Sequence, residues 1–179
     1  MAKISADLQS QAVMLAKREP RRPKQATIRR SISTAYYALF HFLIEESTSL
    51  LCGAGQNDES LRQLAGRAFV HGKMKTLCRE FTKPGTQGVH ELLRAFWQPM
   101  GISTNAQIRL VAQNFIDLQE LRHTADYDLS VFMSRQDALN AAQRVADAMS
   151  AWRSLKSTNR EVCRLFALAL ALWPSLASR

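Results

Sequence analysis

In IRRSISTAYYALFHFLIEESTSLL, residues 28–51, Ile28, Ile32, Ala35, Tyr36, Leu39, Phe40, Leu43 and Ile44 recur at three- and four-residue spacing, and Leu50 and Leu51 extend the pattern. Side chains so spaced share one side of an α-helix, so the stretch predicts a long helix with a core-facing stripe. Gly53 and Gly55 end it.

The same period governs the rest of the chain. Upstream, a short helix is expected from about Ser5 to Lys17, with Leu8, Val13 and Met14 available for burial. Pro20 and Pro23 break the chain after it, because proline lacks an N–H and restricts its predecessor. Downstream, GQNDES (Gly55–Ser60) supplies start signals for a helix carrying Leu61, Leu64, Ala68 and Phe69, kinked at Gly72 before Met74, Leu77 and Phe81. KPGTQG (Lys83–Gly88) reads as a turn, and Val89–Met100 as a short helix or irregular cover.

Ser103 or Thr104 is expected to cap a long helix that buries Ile108, Val111, Phe115 and Leu118 and arrives at Arg122. Ser134 with Asp137 makes a capping-box signature for a helix offering Leu139, Ala142, Val145, Met149 and Trp152. Thr158 with Glu161 repeats the signature before a C-terminal apolar helix. No run reads as a strand, and no repeat or long linker occurs. The pattern predicts an all-α, up-and-down bundle of about four to five core helices over residues 1–156, with an extra helix over 157–179 packed on the domain or on a partner.

Composition narrows the function. The chain has 179 residues, enough for one domain with a full core. Its 24 Lys+Arg against 15 Asp+Glu give a net charge of +9, which favours polyanions such as RNA, DNA or acidic membrane. Cys52, Cys78 and Cys163 form no C-x-x-C pair, which argues against a disulfide framework or zinc knuckle and fits a reducing, cytoplasmic setting. The longest apolar run, LFALALALWPSLA (Leu165–Ala177), is too short to span a bilayer, so no membrane partner is expected.

Two stretches concentrate chemistry. RRPKQATIRR (Arg21–Arg30) gathers cations at a helix start, where the helix dipole disfavours them, and Arg29 and Arg30 are candidate phosphate contacts. On the helix that follows, Tyr37 and His41 share a face; on the next helix Arg67 and His71, just before Lys73, do the same. LRHTADYD (Leu121–Asp128) packs Arg122, His123, Asp126 and Tyr127 into the end of a helix; Arg122 and Asp126 can bridge one turn. A helix-ending salt bridge over a packed tyrosine is the plain alternative. Glu120 and His123 have di-iron spacing, but no second Glu-x-x-His exists, so no metal is expected. Phosphate-loop, dinucleotide and serine-hydrolase motifs are absent, and nothing calls for a cofactor.

RRSISTAYYALFHFL (Arg29–Leu43), RAFVHGKMKTLC (Arg67–Cys78) and LQELRHTADYD (Leu118–Asp128), in that order, resemble the HEPN superfamily, in particular a bacterial branch with an R-x-x-A-D-Y signature. The resemblance covers roughly residues 5–155. It implies a helical bundle that dimerises around a polar cleft, and metal-independent ribonuclease activity of toxin–antitoxin or antiviral-defence type. Other members bind nucleotides or partner a nucleotidyltransferase. Arg122 matches the family's arginine, but the histidine expected four to six residues later is replaced by Tyr127, Asp128 and Leu129. The leading expectation is an RNA-binding homodimer in which Arg122, His123, Asp126 and Tyr127 form the reactive centre and Arg29, Arg30, Tyr37, His41, Arg67, His71 and Lys73 contact the nucleic acid. The rival is a non-catalytic interaction or adaptor module, antitoxin-like or within a defence complex.

Overall fold

The computed structural model describes residues 4–176 apart from 83–93, 95–98 and 100–104, with side chains described as far as residue 173. Among the described residues there are seven α-helices and no strand: α1 (Ile4–Lys17), α2 (Gln25–Cys52), α3 (Glu59–Gly66), α4 (His71–Thr82), α5 (Ala106–Tyr127), α6 (Arg135–Thr158) and α7 (Arg160–Leu176). A 3-10 turn, Gln56–Asp58, precedes α3. The chain divides into two compact units: residues 1–42 with 114–149, and residues 43–113 with 150–179. The boundary falls inside α2, α5 and α6.

In the first unit, α2 is buried almost all round from Ser31 to Phe40, with Ile32, Ala35 and Leu39 fully enclosed, as expected for a central helix. Alanines line the elements around it: Ala12 and Ala16 on α1, and Ala138, Ala141 and Ala142 on α6. Small side chains permit close approach, and the Ser31 hydroxyl donates to the Ala12 carbonyl at 2.7 Å. Ser33 bonds Asp126 while Tyr37 meets Arg122. Four residues forward on α2 correspond to four back on α5, so the two helices run antiparallel.

The second unit is built on large side chains. Phe81 of α4 meets Phe166 of α7 edge to face at 4.8 Å, and Trp152 of α6 lies 6.0 Å from the same ring. The indole Nε1 of Trp152 donates to Glu46 at 3.3 Å, and Lys156 pairs with the same carboxylate oxygen at 2.6 Å. That carboxylate is only 7% exposed, and these two donors are what make its burial tolerable. The apolar side of the C-terminal helix is therefore part of this unit's core, through Val162, Cys163, Phe166 and Leu170.

Several local expectations change. Met14 is exposed; α1 instead buries Ala12, Leu15 and Ala16. Leu61 and Leu64 are exposed on α3, which buries none of its side chains. The interruption before α4 lies at Arg67–Val70, where backbone bonds tighten to three-residue closure and Phe69 turns inward; Gly72 sits inside α4 and is no kink. Gly53 ends α2 as expected: its φ is +95°, and a Cβ there would lie 2.4 Å from the Asp58 carboxylate. The Ser134–Asp137 capping box forms, with Ser134 N to Asp137 Oδ2 at 2.8 Å and Asp137 N to Ser134 Oγ at 3.1 Å. At α7 the cap is Asn159, which accepts from Val162 N at 3.3 Å, while the Thr158 hydroxyl bonds back into α6. At α5 the cap is Asn105, accepting from Ile108 N at 3.0 Å. The expected caps Ser103 and Thr104, the turn at Lys83–Gly88 and nearly all of Val89–Met100 lie outside the described residues.

Candidate anion-binding site

Helical spacing puts Arg30, Ser33, Tyr37 and His41 along one side of α2, while Tyr36 points into the core at 1% exposure. The last turns of the antiparallel α5 bring Arg122, His123, Asp126 and Tyr127 to this unit. Arg122 is the centre of the cluster. Its Nε lies 2.7 Å from Asp126 Oδ2, an ionic contact rather than an aligned hydrogen bond. Its Nη2 donates to the Tyr37 hydroxyl at 3.3 Å. The carbon of the guanidinium sits 5.5 Å from the Tyr127 ring, 5.7 Å from Tyr37 and 6.0 Å from Tyr36. These are all the tyrosines the chain possesses. Three rings at cation–π distance and one carboxylate hold the guanidinium in a single orientation.

The second oxygen of Asp126 accepts from Ser33, so the carboxylate is fixed from both helices. Partial burial works against the Arg122 charge, but the oxygens of Tyr37, Asp126 and Tyr127 outweigh it and hold the group more firmly protonated than usual. Arg122 is 23% exposed and Asp126 28%, so the cation is recessed but reachable. Asp126, Tyr37 and Tyr127 do not exhaust a guanidinium's donors, which leaves capacity for an oxyanion. The histidines flank the cage: His123 lies 5.0 Å from the Tyr127 ring, and His41 lies 6.5 Å from Tyr37.

The other residues singled out in the sequence have different surroundings. Arg30 is exposed on the site's side of α2. Arg29 is committed to the end of α5: Nη1 donates to the carbonyls of Ala125 at 2.9 Å, Asp128 at 3.0 Å and Thr124 at 3.4 Å, and Nη2 donates to Val131. The Ala125 carbonyl is one the helix leaves unpaired, that of Thr124 also accepts from Asp128 N at 3.0 Å, and those of Asp128 and Val131 lie beyond the helix. Arg67, His71 and Lys73 belong to the second unit, around the start of α4. Ser33 was not singled out, although it lies four residues before Tyr37 on the same side. Tyr36 reads as core from sequence and is core, yet its ring also faces the cation. Among the described residues no group of three or more His, Cys, Asp or Glu could hold a metal ion, and no helix is long and apolar enough to cross a membrane.

No family model, curated protein or solved structure matches the chain.

Proposed function

We propose that the chain is an HEPN-like, RNA-binding protein in which Arg122 holds a backbone phosphate. The observation that carries this reading is the cage itself. A structural arginine spends its donors on backbone carbonyls, as Arg29 does on four of them, whereas Arg122 is oriented by a carboxylate and three aromatic rings with donors to spare. Asp126 orients the guanidinium, and Tyr127, 64% exposed, offers a hydroxyl and a ring face to the ligand. Arg30, Tyr37 and His41 extend the contact along α2, and the net charge of +9 supplies long-range attraction.

The reaction open to such a site without metal is attack of a ribose 2'-hydroxyl on the adjacent phosphorus. The 2'-proton passes to a base, the bond to the 5'-oxygen breaks, and that oxygen takes a proton. Arg122 would stabilise the charge on the phosphoryl oxygens, and an imidazole must move the protons because a guanidinium does not titrate near neutrality. His123 and His41 are the imidazoles beside the cage.

Labelled total RNA incubated with the purified protein in EDTA tests both parts. Salt-sensitive binding that weakens at least tenfold in Arg122→Ala is expected, and cleavage, where present, should vanish in Arg122→Ala and fall in His123→Ala or His41→Ala. RNA binding unchanged by Arg122→Ala would overturn the proposal. A non-catalytic interaction module is favoured by a separate observation, the exposed apolar segment that follows α5.

A further inference from the structure

The connection from α5 to α6 is exceptional for what it exposes and for how firmly it is held. Leu129 is 82% exposed and Phe132 75%, with Val131 exposed beside them. Isolated apolar side chains at a surface are ordinary, but this clustering in consecutive residues makes a patch. The segment is pinned rather than loose. Arg29 gathers two of its carbonyls, those of Asp128 and Val131, and two from the preceding turn of α5. Gln25 brackets Met133, donating to its carbonyl at 2.7 Å and accepting from its N–H at 3.0 Å. Asp128 accepts from Ser130 N at 3.0 Å. A surface already ordered loses little entropy on binding.

Beside it lies a cationic segment. The Arg135 guanidinium donates to the carbonyls of Glu19 and, at 2.7 Å, Pro20, fastening the α1–α2 connection next to the start of α6. Lys17, Arg18, Arg21, Arg22 and Lys24 are all exposed there. Glu19, the one acid among them, is turned to Lys24 N at 2.8 Å and the Thr27 hydroxyl at 3.2 Å.

We propose that this patch docks a partner protein through an acidic segment that carries apolar anchor side chains. Charge complementarity selects the occupant. A second copy related by a two-fold axis through the patch would set these cations against their own images. RNA would satisfy the cations, and a base could stack on Phe132, but the aliphatic Leu129 and Val131 would gain no apolar partner. A protein segment buries the aliphatic groups at its centre and meets the cations at its rim.

The test places a benzoylphenylalanine photoprobe at position 132 of the full chain in its native cell and sequences the crosslinked peptide. The expected product is a peptide of another protein with net negative charge and apolar residues. Its yield should fall at least fivefold in Arg21→Glu/Arg22→Glu, or in Arg21→Ala/Arg22→Ala if charge reversal impairs folding, and should not change in Arg122→Ala. Crosslinks to RNA, lipid or another copy of the chain would overturn the proposal, as would yield indifferent to the arginines or no higher than from the same probe at Gln136. Because Arg122 is no part of the patch, failure here leaves the RNA-binding reading standing, and the reverse also holds.

Discussion

Arg29 and Arg122 both act at the C-terminal end of α5, and comparing them separates support from function. Arg29 holds carbonyls, and charge-assisted bonds of that kind contribute roughly 1.5–3 kcal/mol when lost. Arg29→Ala should therefore lower the melting temperature by several degrees, at roughly 2–4 °C per kcal/mol for a chain of this size. It should also speed amide exchange across residues 128–133, measured by mass spectrometry. Arg122 is partly exposed, and removing its ion pair and ring contacts should cost less, about 1 kcal/mol. The expected outcome is a crossed pattern: thermal scans rank Arg29→Ala as the more damaging, while RNA titrations rank Arg122→Ala so. If Arg122→Ala proves the more destabilising and RNA binding survives it, the tyrosine cage is a structural device.

The helices are terminated by short polar side chains whose contributions can be measured singly. Ser134→Ala removes a formed capping box and should cost about 1 kcal/mol in chemical denaturation. Asn159→Ala should cost a similar amount, whereas Thr158→Ala should cost less, since its hydroxyl only bonds back to Ser154 and Leu155. Within α4 and α7, burial pushes the Cys78 thiol well above its ordinary range. Burial likewise pushes Cys163 up to about 12, with Lys156 opposing and Glu46 adding. In the unfolded chain these thiols ionise near 9.0, so the folded state binds more protons above that pH. The sign follows: their contribution is fully present below about pH 9 and is lost as pH rises towards 12. Alkaline melts should show this decline, reduced in Cys163→Ala, and thiol reagents should label the half-buried Cys52 first.

Over the whole molecule, net charge acts independently of any one contact. At +9, RNA affinity should fall steeply between about 50 and 200 mM salt, along a straight line in logarithmic coordinates. Removing one phosphate-binding arginine should lessen that slope by about one, so the slope difference between wild type and Arg122→Ala counts the contact directly. A slope unchanged by that substitution would place Arg122 away from phosphate even if affinity dropped. The patch at Leu129–Phe132 should contribute no such salt term to RNA binding.

The sequence by itself determined the all-α class, because three- and four-residue periodicity admits no other regular structure, and it placed the long second helix and the Ser134–Asp137 cap, which depend on neighbours close in the chain. It also marked Arg122, His123, Asp126 and Tyr127 as one reactive centre and Tyr37 as a separate nucleic-acid contact. Their convergence was not legible there, since it depends on α2 and α5 running antiparallel, and so Ser33 and the cation-facing ring of Tyr36 went unmarked. Tertiary structure alone decided that Arg29 serves carbonyls, that Met14, Leu61 and Leu64 stay exposed, and that the pinned loop Leu129–Phe132 turns outward. Periodicity says which side chains share a face; only packing decides whether anything covers that face.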